Sequence, residues 1–304
     1  MSVVRPMLNA WLRLTEKPHL QSAKDAQALR RSFELKARMF FHAPFGTTRK
    51  NDNLGGRPTL HVSARGAPSD RIILYFHGGA YVFGSPRTHA AMLAWLCKDA
   101  KAHAFLPDYR KAPEHPFPSA LEDAQAAWAA LLERGHDPSD IIIGGDSAGG
   151  GLCLSLLAHL LEKGEACPAG VFAFSPLADL TFSGESIARN AHADVVLPAS
   201  RVHELGAVYL DGADPRDPGA SPLFADFTGA PPVWLTVGDT EILCDDTLRL
   251  DEKIQSVGGT TDVRITHDLP HVWPLFHNIL PEARVTLLEL GNWIRRQTTR
   301  SSES

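Results

Sequence analysis

The sequence predicts an α/β fold, with a mostly parallel central sheet flanked by helices. Short and nearly continuous apolar runs, rich in β-branched and aromatic residues, suit strands that are buried on both faces of a sheet. Stretches with helical periodicity separate these runs along the chain. The 304 residues, of which 44% are hydrophobic and 21% charged, are enough for one large domain of this kind or two small ones.

Two elements come before this alternation. Leu29, Phe33, Ala37 and Phe40 have helical spacing and predict one amphipathic helix over residues 19–41. The segment TLHVSARG alternates apolar and polar residues, which predicts a half-buried strand.

Buried strands and helices then follow in turn. The predicted strands are RIILYF, HAFLP, DIIIGG, GVFAFS, VWLTVG and, near the end, TDVRITH. The predicted helices cover residues 86–101, 119–134, 148–163 and 243–257. Ser119 and Glu122 have the spacing of a capping box, and Gly135 is placed to end that helix.

Charge and cysteine content argue against several classes of protein. The net charge is −5 and no block of Lys and Arg is present, which disfavours nucleic acid and membrane surfaces as partners. The four cysteines are scattered without a CxxC pair, as in a cytoplasmic protein with reduced thiols. Arg5, Pro6 and Arg13 interrupt the weakly apolar N-terminus, so we expect neither a secretion signal nor a membrane span.

The segment IIIGGDSAGGGLCLSLLAHLL carries the strongest chemical signal. An apolar strand enters Gly-Asp-Ser-Ala-Gly, and helical periodicity follows at once. Such a tight turn exposes its serine at a helix N-terminus, where negative charge is favoured. Ser147 is therefore the candidate nucleophile. The lysine of a phosphate-binding loop and the glycine spacing of a dinucleotide fingerprint are missing, so no nucleotide cofactor is expected.

A second glycine-containing loop, in LYFHGGAYVFGSP, leaves an earlier strand. Acyl transfer builds negative charge on the former carbonyl oxygen, and backbone amides aimed at that oxygen stabilise it by a few kcal/mol. Glycines allow bare amides to approach closely. Gly78, Gly79 and Ala148 are the candidate donors of this oxyanion hole.

These motifs together resemble a known family. HGGAYVFGSP, PDYRKAPEHPFPSALED, GDSAGG and SPLADL stand in the order seen in hormone-sensitive-lipase-like, or family IV, bacterial esterases, which are α/β-hydrolases. The resemblance runs from about residue 57 to 296 and implies an α/β-hydrolase fold with a helical cap. The implied cap segments are residues 1–45 and 177–225, on a catalytic domain of residues 46–176 and 226–304.

The chain departs from the family pattern at two positions. Ala80 replaces the usual fourth glycine of the oxyanion loop, and Lys111 replaces the leucine of YRLAPE. Neither change removes a backbone amide. Ala80 matters if its φ is positive, because a Cβ then costs about 1 kcal/mol. The resemblance also implies that His77 holds this loop through hydrogen bonds.

The acid of the site is expected within GDTEILCDD, after the strand VWLTVG, since this fold orders its residues as Ser, acid, His. The helix dipole and solvent explain Asp245 and Asp246. Asp239 is explained by a turn. The resemblance to the family's DPLxD motif implies Glu241 as the acid, and Asp239 and Asp245 remain alternatives.

The base is expected in the loop DLPHVWPLF, after the last strand. HVW matches the family's His before an apolar pair, which selects His271 from the 14 histidines. His267 and His277 are predicted to be polar surface residues. The resemblance implies that His271 takes the Ser147 proton while Glu241 fixes the imidazole. Activity should then rise with pH near the ordinary histidine pKa of about 6.5.

The remaining polar and aromatic candidates have structural roles or open ones. The cluster in PDYRKAPEH is predicted to be a buried ion-paired loop, because no two ligands have the i, i+4 spacing of a metal site. Its members are Asp108, Arg110, Glu114 and His115. Asp146 is expected to accept a hydrogen bond, and Asp179, Asp194 and Asn190 to orient the cap. Tyr81, Phe83, Phe182 and Trp273 are candidates for the substrate pockets, with the core as the equal alternative.

The leading hypothesis is a serine carboxylesterase that hydrolyses short-chain acyl esters through an acyl-enzyme intermediate. The alternative keeps the triad but acts as a lactone hydrolase, or as a deacetylase on a specialised small-molecule ester. A non-catalytic relative is disfavoured because Ser, acid and His are all present. The expected partner is a small ester, with no metal and no cofactor. A homodimer through the edge of the last strand is also considered.

Overall fold

One eight-stranded sheet forms the centre of the molecule. The structure is a computed structural model, and it describes residues 2–23, 25–66 and 70–298. The strands are β1 Thr48–Leu54, β2 Arg57–Ser63, β3 Ile72–Phe76, β4 His103–Pro107, β5 Ile141–Asp146, β6 Gly170–Phe174, β7 Val233–Gly238 and β8 Thr261–Thr266. The helices are α1 Val4–Ser22, α2 Ala26–Phe40, α3 Pro86–Ala100, α4 Ser119–Glu133, α5 Ala148–Lys163, α6 Ser186–Arg189, α7 Val202–Leu210, α8 Cys244–Ser256 and α9 Pro281–Gln297.

The sheet has the order β1-β2-β4-β3-β5-β6-β7-β8. The β1–β2 and β2–β4 pairs are antiparallel. The other neighbours are parallel. The predicted mostly parallel sheet is therefore confirmed. Strands β3, β5, β6 and β7 are buried along their whole length, in agreement with their continuous apolar sequences.

The N-terminal helix is wrong in its predicted bounds. The structure has two helices, α1 and α2, in place of one helix over residues 19–41. Asp25 caps the second helix, since its carboxylate accepts the amide hydrogens of Gln27 at 2.9 Å and Ala28 at 3.1 Å. This capping acid favours a new helix start.

The capping box at α4 is also wrong. Ser119 is the first residue of the helix, and no side chain caps that end. Glu122 instead pairs with Arg110 at 2.9 Å. Gly135 ends the helix as predicted, in the left-handed conformation with a φ of 85°.

The parallel strands bring the predicted chemical groups to one edge of the sheet. Ser147 follows β5, and the Gly78 loop follows β3. Glu241 follows β7, and His271 follows β8. Carboxyl ends of parallel strands share one edge, which is where ligands bind in open α/β sheets. None of the helices in the described part of the chain has the length and apolar character needed to cross a bilayer.

Candidate active site

Ser147 occupies a strained turn between β5 and α5. Its φ of 51° and ψ of −122° lie outside the usual regions for a residue with a side chain. Glycines on either side make the turn sterically feasible. A Cβ on Gly149 would stand 2.0 Å from the Phe76 carbonyl oxygen, and one on Gly145 would stand 2.1 Å from the Gly149 oxygen. The elbow therefore holds a serine directly at the N-terminus of α5.

Glu241 is buried, with 1% of its surface exposed. One carboxylate oxygen accepts the Ser175 hydroxyl at 2.8 Å and the Gly238 amide at 2.6 Å. The other oxygen lies 2.6 Å from Nδ1 of His271. Donors from the ends of two neighbouring strands thus hold one oxygen of the carboxylate, and the other oxygen faces the imidazole.

The alternative acids lie elsewhere. Asp239 binds the ring of the exposed His267 at 2.7 Å and accepts the Asp268 amide at 2.8 Å. Asp245 pairs with Arg189 at 2.7 Å. Within the described residues, Glu241 is the acidic residue of this loop whose side chain contacts the imidazole of His271.

Asp246 departs from its predicted solvent-exposed setting. It is buried, and one of its oxygens accepts the amides of Ala178 at 2.8 Å and Asp179 at 3.0 Å. Burial raises the pKa of Asp246 to about 7. Asp246 therefore joins α8 to the segment that follows β6. A residue on the exposed face of a helix would make no such contact.

His271 is held in an electrostatic setting that favours its charged form. Burial lowers the pKa of His271 more than any other single influence raises it, but the nearby carboxylates, Glu241 first among them, together outweigh burial and hold the pKa above its ordinary value. Asp194 and Asp146 raise it in the same direction. The Val272 amide donates to the Ser175 hydroxyl at 3.2 Å, so Ser175 supports both the acid and the loop of the base.

The Gly78 amide, a predicted oxyanion donor, is engaged elsewhere. It donates to Asp146 Oδ1 at 2.9 Å. The next two residues have positive φ, 121° at Gly79 and 53° at Ala80. Their amides have no hydrogen-bond partner among the residues that the structure describes. Gly79, Ala80 and Ala148, the last at the start of α5, therefore offer unpaired amides at this edge within the described part of the chain.

Asp146 braces the oxyanion loop from below. In addition to Gly78, it accepts the Tyr75 hydroxyl at 2.6 Å and lies 3.2 Å from Nε2 of His89. Burial would raise the pKa of Asp146, but the charge and hydrogen bonds of these partners keep it below its ordinary value. The predicted acceptor role of Asp146 thus has three identified donors.

His77 is buried beneath the same loop. Its ring stacks on Tyr109 with centroids 4.3 Å apart, and the Tyr109 hydroxyl donates to the His77 carbonyl at 2.6 Å. Burial lowers the pKa of His77 well below the ordinary value, so the ring is neutral. Stacking and one backbone carbonyl hold the loop, in addition to the imidazole contact with the Gly78 carbonyl at 2.8 Å.

A cavity of about 160 Å³ opens beside Ser147 and His271. Gly79 and Ala80 contribute to its wall. The rest of the wall is mostly apolar and includes Trp11, Leu12, Leu29, Phe33, Phe40, Phe41, Phe83, Val196, Leu197, Leu205 and Phe276. The candidate nucleophile Ser147 and the candidate base His271 therefore share one mostly apolar cavity with Gly79 and Ala80.

Comparisons with known proteins identify the family. The family described as alpha/beta hydrolase fold matches residues 73–275. An acetyl-hydrolase of Streptomyces hygroscopicus is 38% identical over 228 residues, which cover 75% of this chain and 76% of the relative. An esterase of Acinetobacter venetianus is 34% identical, with 80% and 83% covered. The crystal structure of an esterase from the bacterial hormone-sensitive lipase family matches with a TM-score of 0.93 and 36% identity, over 98% of this chain and 99% of that chain.

The chain belongs to the hormone-sensitive-lipase-like family of α/β-hydrolases. It is a carboxylic ester hydrolase, as the predicted family resemblance implied. The predicted α/β-hydrolase fold is confirmed as well.

Three of the four aromatic candidates lie outside the cavity of this esterase. Tyr81 is buried and stacks face to face on Tyr209, with centroids 3.8 Å apart. Trp273 is fully buried and donates to the Thr286 hydroxyl at 3.0 Å. Phe182 packs edge-on against His203 at 5.1 Å. Phe83 is the member of this group that lines the cavity, and the other three fit the alternative that the sequence left open, a place in or against the core.

Much of the cavity wall comes from α1, α2 and residues 196–205, which the sequence did not assign to a pocket. The sequence does predict one apolar helix face that includes Leu29, Phe33 and Phe40. This face is the sequence feature from which part of the cavity wall could have been inferred. The pattern did not show that the face covers a cavity as well as core.

The charged loop after β4 is ion-paired but only partly buried. Arg110 pairs with Asp123 of α4 at 2.8 Å, and Lys111 with Asp108 at 2.5 Å. Glu114 is exposed, as is its neighbour His115, which corrects the prediction of a buried loop. Glu114 binds Arg30 of α2 at 2.7 Å.

Arg30 connects α2 to the oxyanion loop. Its guanidinium donates to the carbonyls of Val82 at 2.8 Å and Ala112 at 2.9 Å, besides pairing with Glu114. The charged loop therefore anchors the N-terminal helices to the part of the chain that carries the oxyanion amides.

Two further histidines can now be placed. His267 is exposed, as predicted. His277 is buried, with its ring facing the carbonyls of Pro274 and His42, both at 3.3 Å, so its predicted surface position is wrong. Burial lowers the pKa of His277 to about 4. Within the described ranges, no cluster of His, Cys, Asp and Glu has the arrangement of a metal site.

Proposed function

We propose that this esterase is a serine carboxylesterase with the triad Ser147, His271 and Glu241. The observation that carries the proposal is the buried Glu241 carboxylate, 2.6 Å from Nδ1 of His271. That contact favours the tautomer with hydrogen on Nδ1, which leaves Nε2 free to accept a proton.

In the proposed mechanism, Ser147 Oγ attacks the ester carbonyl carbon and its proton passes to His271 Nε2. Glu241 stabilises the imidazolium. The amides of Gly79, Ala80 and Ala148 donate to the oxyanion. The carbon–oxygen bond to the alcohol then breaks, and the alcohol leaves with the proton from Nε2. Water repeats the same steps on the acyl-enzyme and releases the acid.

The pH dependence follows from the pKa of His271. The base must be neutral, and its pKa lies above 6.5. Protonation therefore stops the reaction at a higher pH than for an ordinary histidine. We expect kcat/KM to rise with pH through a midpoint above 6.5.

The size of the cavity favours short acyl chains. An apolar protein cavity of about 150 Å³ holds a benzene molecule. The cavity at Ser147, of about 160 Å³, accordingly suits an acyl group of that bulk and is too small for a palmitoyl chain. In this proposal α1, α2 and residues 177–225 are the cap that closes the cavity, and the remaining chain is the catalytic domain.

A second candidate is a deacetylase of a specialised small ester. The relative from Streptomyces hygroscopicus is named an acetyl-hydrolase, which favours acetyl as the acyl group. The triad would act in the same way, because leaving-group choice depends on the cavity wall and not on the fold.

The test is a series of p-nitrophenyl esters from acetyl to palmitoyl, run beside acetylated sugars and lactones. We expect the highest kcat/KM between acetyl and hexanoyl, and a loss of at least ~10⁴-fold in Ser147→Ala. A deacetylase would hydrolyse acetyl esters and little else. Full activity in Ser147→Ala, or a preference for palmitoyl, would refute the proposed site or its substrate class.

A further inference from the structure

A buried carboxylate outside the proposed triad lies beside the turn of Glu241. Asp194 is 2% exposed. Its Oδ1 accepts the amides of Val196 and Leu197, both at 2.8 Å. Its Oδ2 accepts the amide of Ile242 at 3.0 Å. One side chain therefore satisfies three backbone donors from two distant segments of the chain.

One segment belongs to the cavity wall. The other is the turn of residues 239–243 that carries Glu241, called the acid turn below. Val196 and Leu197 line the cavity, and Ile242 follows directly after Glu241. The carboxylate of Asp194 ties one to the other. The backbone of the wall and the backbone next to Glu241 are therefore linked through one side chain.

Asn190 strengthens the same connection without a charge. Its side-chain amide donates to the carbonyls of Asp239 at 2.9 Å and Glu241 at 2.7 Å. The Asp194 amide in turn donates to the Asn190 carbonyl at 2.9 Å. Residues 190–194 thus form one short turn whose two side chains, Asn190 and Asp194, both hydrogen-bond to the backbone of the acid turn.

The turn is fixed from the N-terminal side by α1. The Lys17 ammonium donates to the carbonyls of Ala191 at 2.7 Å and Asp194 at 2.6 Å. A lysine that satisfies two carbonyls orders a segment that has no regular secondary structure of its own.

We propose that Asp194 is a positioning residue for the reaction, which holds the Glu241 turn against the cavity wall and adds a buried negative charge near His271. This inference rests on the proposed triad. It assigns a reaction-related role to a residue for which the sequence suggested only orientation of the cap.

The second half of the proposal concerns the negative charges around the His271 ring. The carboxylates that act on the His271 ring are Glu241, Asp194 and Asp146. Glu241 touches the ring, while Asp146 is occupied by the oxyanion loop and His89. Burial and the charge of Glu241 raise the pKa of Asp194, while His271 and the amides of Ile242 and Leu197 favour its charged form. Removing this charge leaves the carboxylates of Glu241 and Asp146 in place.

The experiment compares the pH profile of kcat/KM in the full-length wild type and in Asp194→Asn. Asparagine has one acceptor oxygen, so either Ile242 or the Val196–Leu197 pair faces an amide group. We expect the midpoint to move to lower pH by roughly half a unit to one unit. We also expect kcat to fall by as much as ~100-fold. If this variant does not fold, Asp194→Ser removes the charge while its hydroxyl can still accept from the local turn.

Two control variants separate positioning from general damage. Asn190→Ala loosens the acid turn without altering charge, so kcat should fall with an unchanged midpoint. Asp179→Asn removes a buried carboxylate from the same region, one that accepts the Thr181 and Ser183 amides. It should lower the stability and leave the midpoint where it is. An unchanged midpoint in the Asp194 variants, or an equal shift in Asp179→Asn, would overturn the inference.

The outcome can be told apart from a failure of the proposed function. The pKa of the His271 ring is measured by nuclear magnetic resonance in Ser147→Ala, with and without Asp194→Asn. This titration needs no turnover. A lower ring pKa in the double variant supports the role of Asp194 whatever the substrate is, and an unchanged ring pKa contradicts it.

Discussion

At the scale of single residues, burial and contacts favour Glu241 over the other acidic residues of GDTEILCDD as the acid of the proposed triad. Glu241 is 1% exposed and meets His271, while the Asp239 side chain is 39% exposed and binds His267. The sequence placed the acid in this loop and favoured Glu241 by resemblance, but local spacing left Asp239 and Asp245 open. Contacts with a loop some 30 residues away could not be read from that spacing.

Replacing Glu241 by Gln should lower kcat by about 10³–10⁴-fold, because the imidazole loses both its orientation and the partner of its charged form. The matched control is Asp239→Asn, which changes a carboxylate two positions earlier. We expect that control to keep kcat within about threefold, since its loss affects a surface contact. Steady-state kinetics on p-nitrophenyl butyrate measures both. An equal loss of kcat in Glu241→Gln and Asp239→Asn would contradict the assignment of Glu241 as the acid.

At the scale of elements, the sequence predicts the helical periodicity of α2. It does not predict that the apolar face of this helix lines the cavity. Phe33 lines the cavity and packs edge-on against Phe83 and His89, each with centroids 5.8 Å away. Tyr81 precedes Phe83 by two residues yet stacks in the core. An aromatic residue in a loop is equally suited to either setting, so identity alone could not separate them.

Phe33→Ala should enlarge the cavity and move the chain-length preference upwards. The ratio of kcat/KM for octanoyl over acetyl esters is expected to rise by about tenfold, as one or two methylenes gain room. Phe182→Ala serves as control, because Phe182 packs against His203 of α7 and does not line the cavity. The control should lower stability without changing the ratio. A change of the same size in both variants would contradict the assigned wall.

At the scale of the whole molecule, the buried strands were predictable from the sequence, and the edge strand β1 was not. β3, β5, β6 and β7 are apolar throughout because both faces are covered. β1 has the sequence TRKNDNL and is mostly exposed, so it carries no apolar period to detect. It is a strand because it pairs with β2. β8 lies at the other edge of the sheet, where a second copy of the chain could pair with it. The homodimer stays a prediction.

Stability should depend on pH through Asp246. Its pKa is 3.8 in the unfolded chain and about 7 in the folded one, so between these values the folded state holds a proton that the unfolded state has lost. Folding stability therefore falls as pH rises through this window, on the order of 1 kcal/mol per pH unit from this group.

Urea denaturation of wild type and Asp246→Asn over that window measures this contribution. The neutral variant should lose less stability as pH rises. Asp226→Asn is the control, because Asp226 has a lowered pKa from its contacts with Thr228 and cannot produce the same trend. Parallel stability curves for wild type and Asp246→Asn would rule out the raised pKa.

The central claim is that Ser147 is the nucleophile, activated by His271. The most direct measurement is mass spectrometry of the intact esterase after treatment with a fluorophosphonate, followed by peptide mapping. We predict one adduct per chain, on Ser147, with labelling that becomes slower as pH falls below the His271 midpoint and is strongly reduced in His271→Ala. An active enzyme that takes no adduct, or takes it on another residue, would contradict the account.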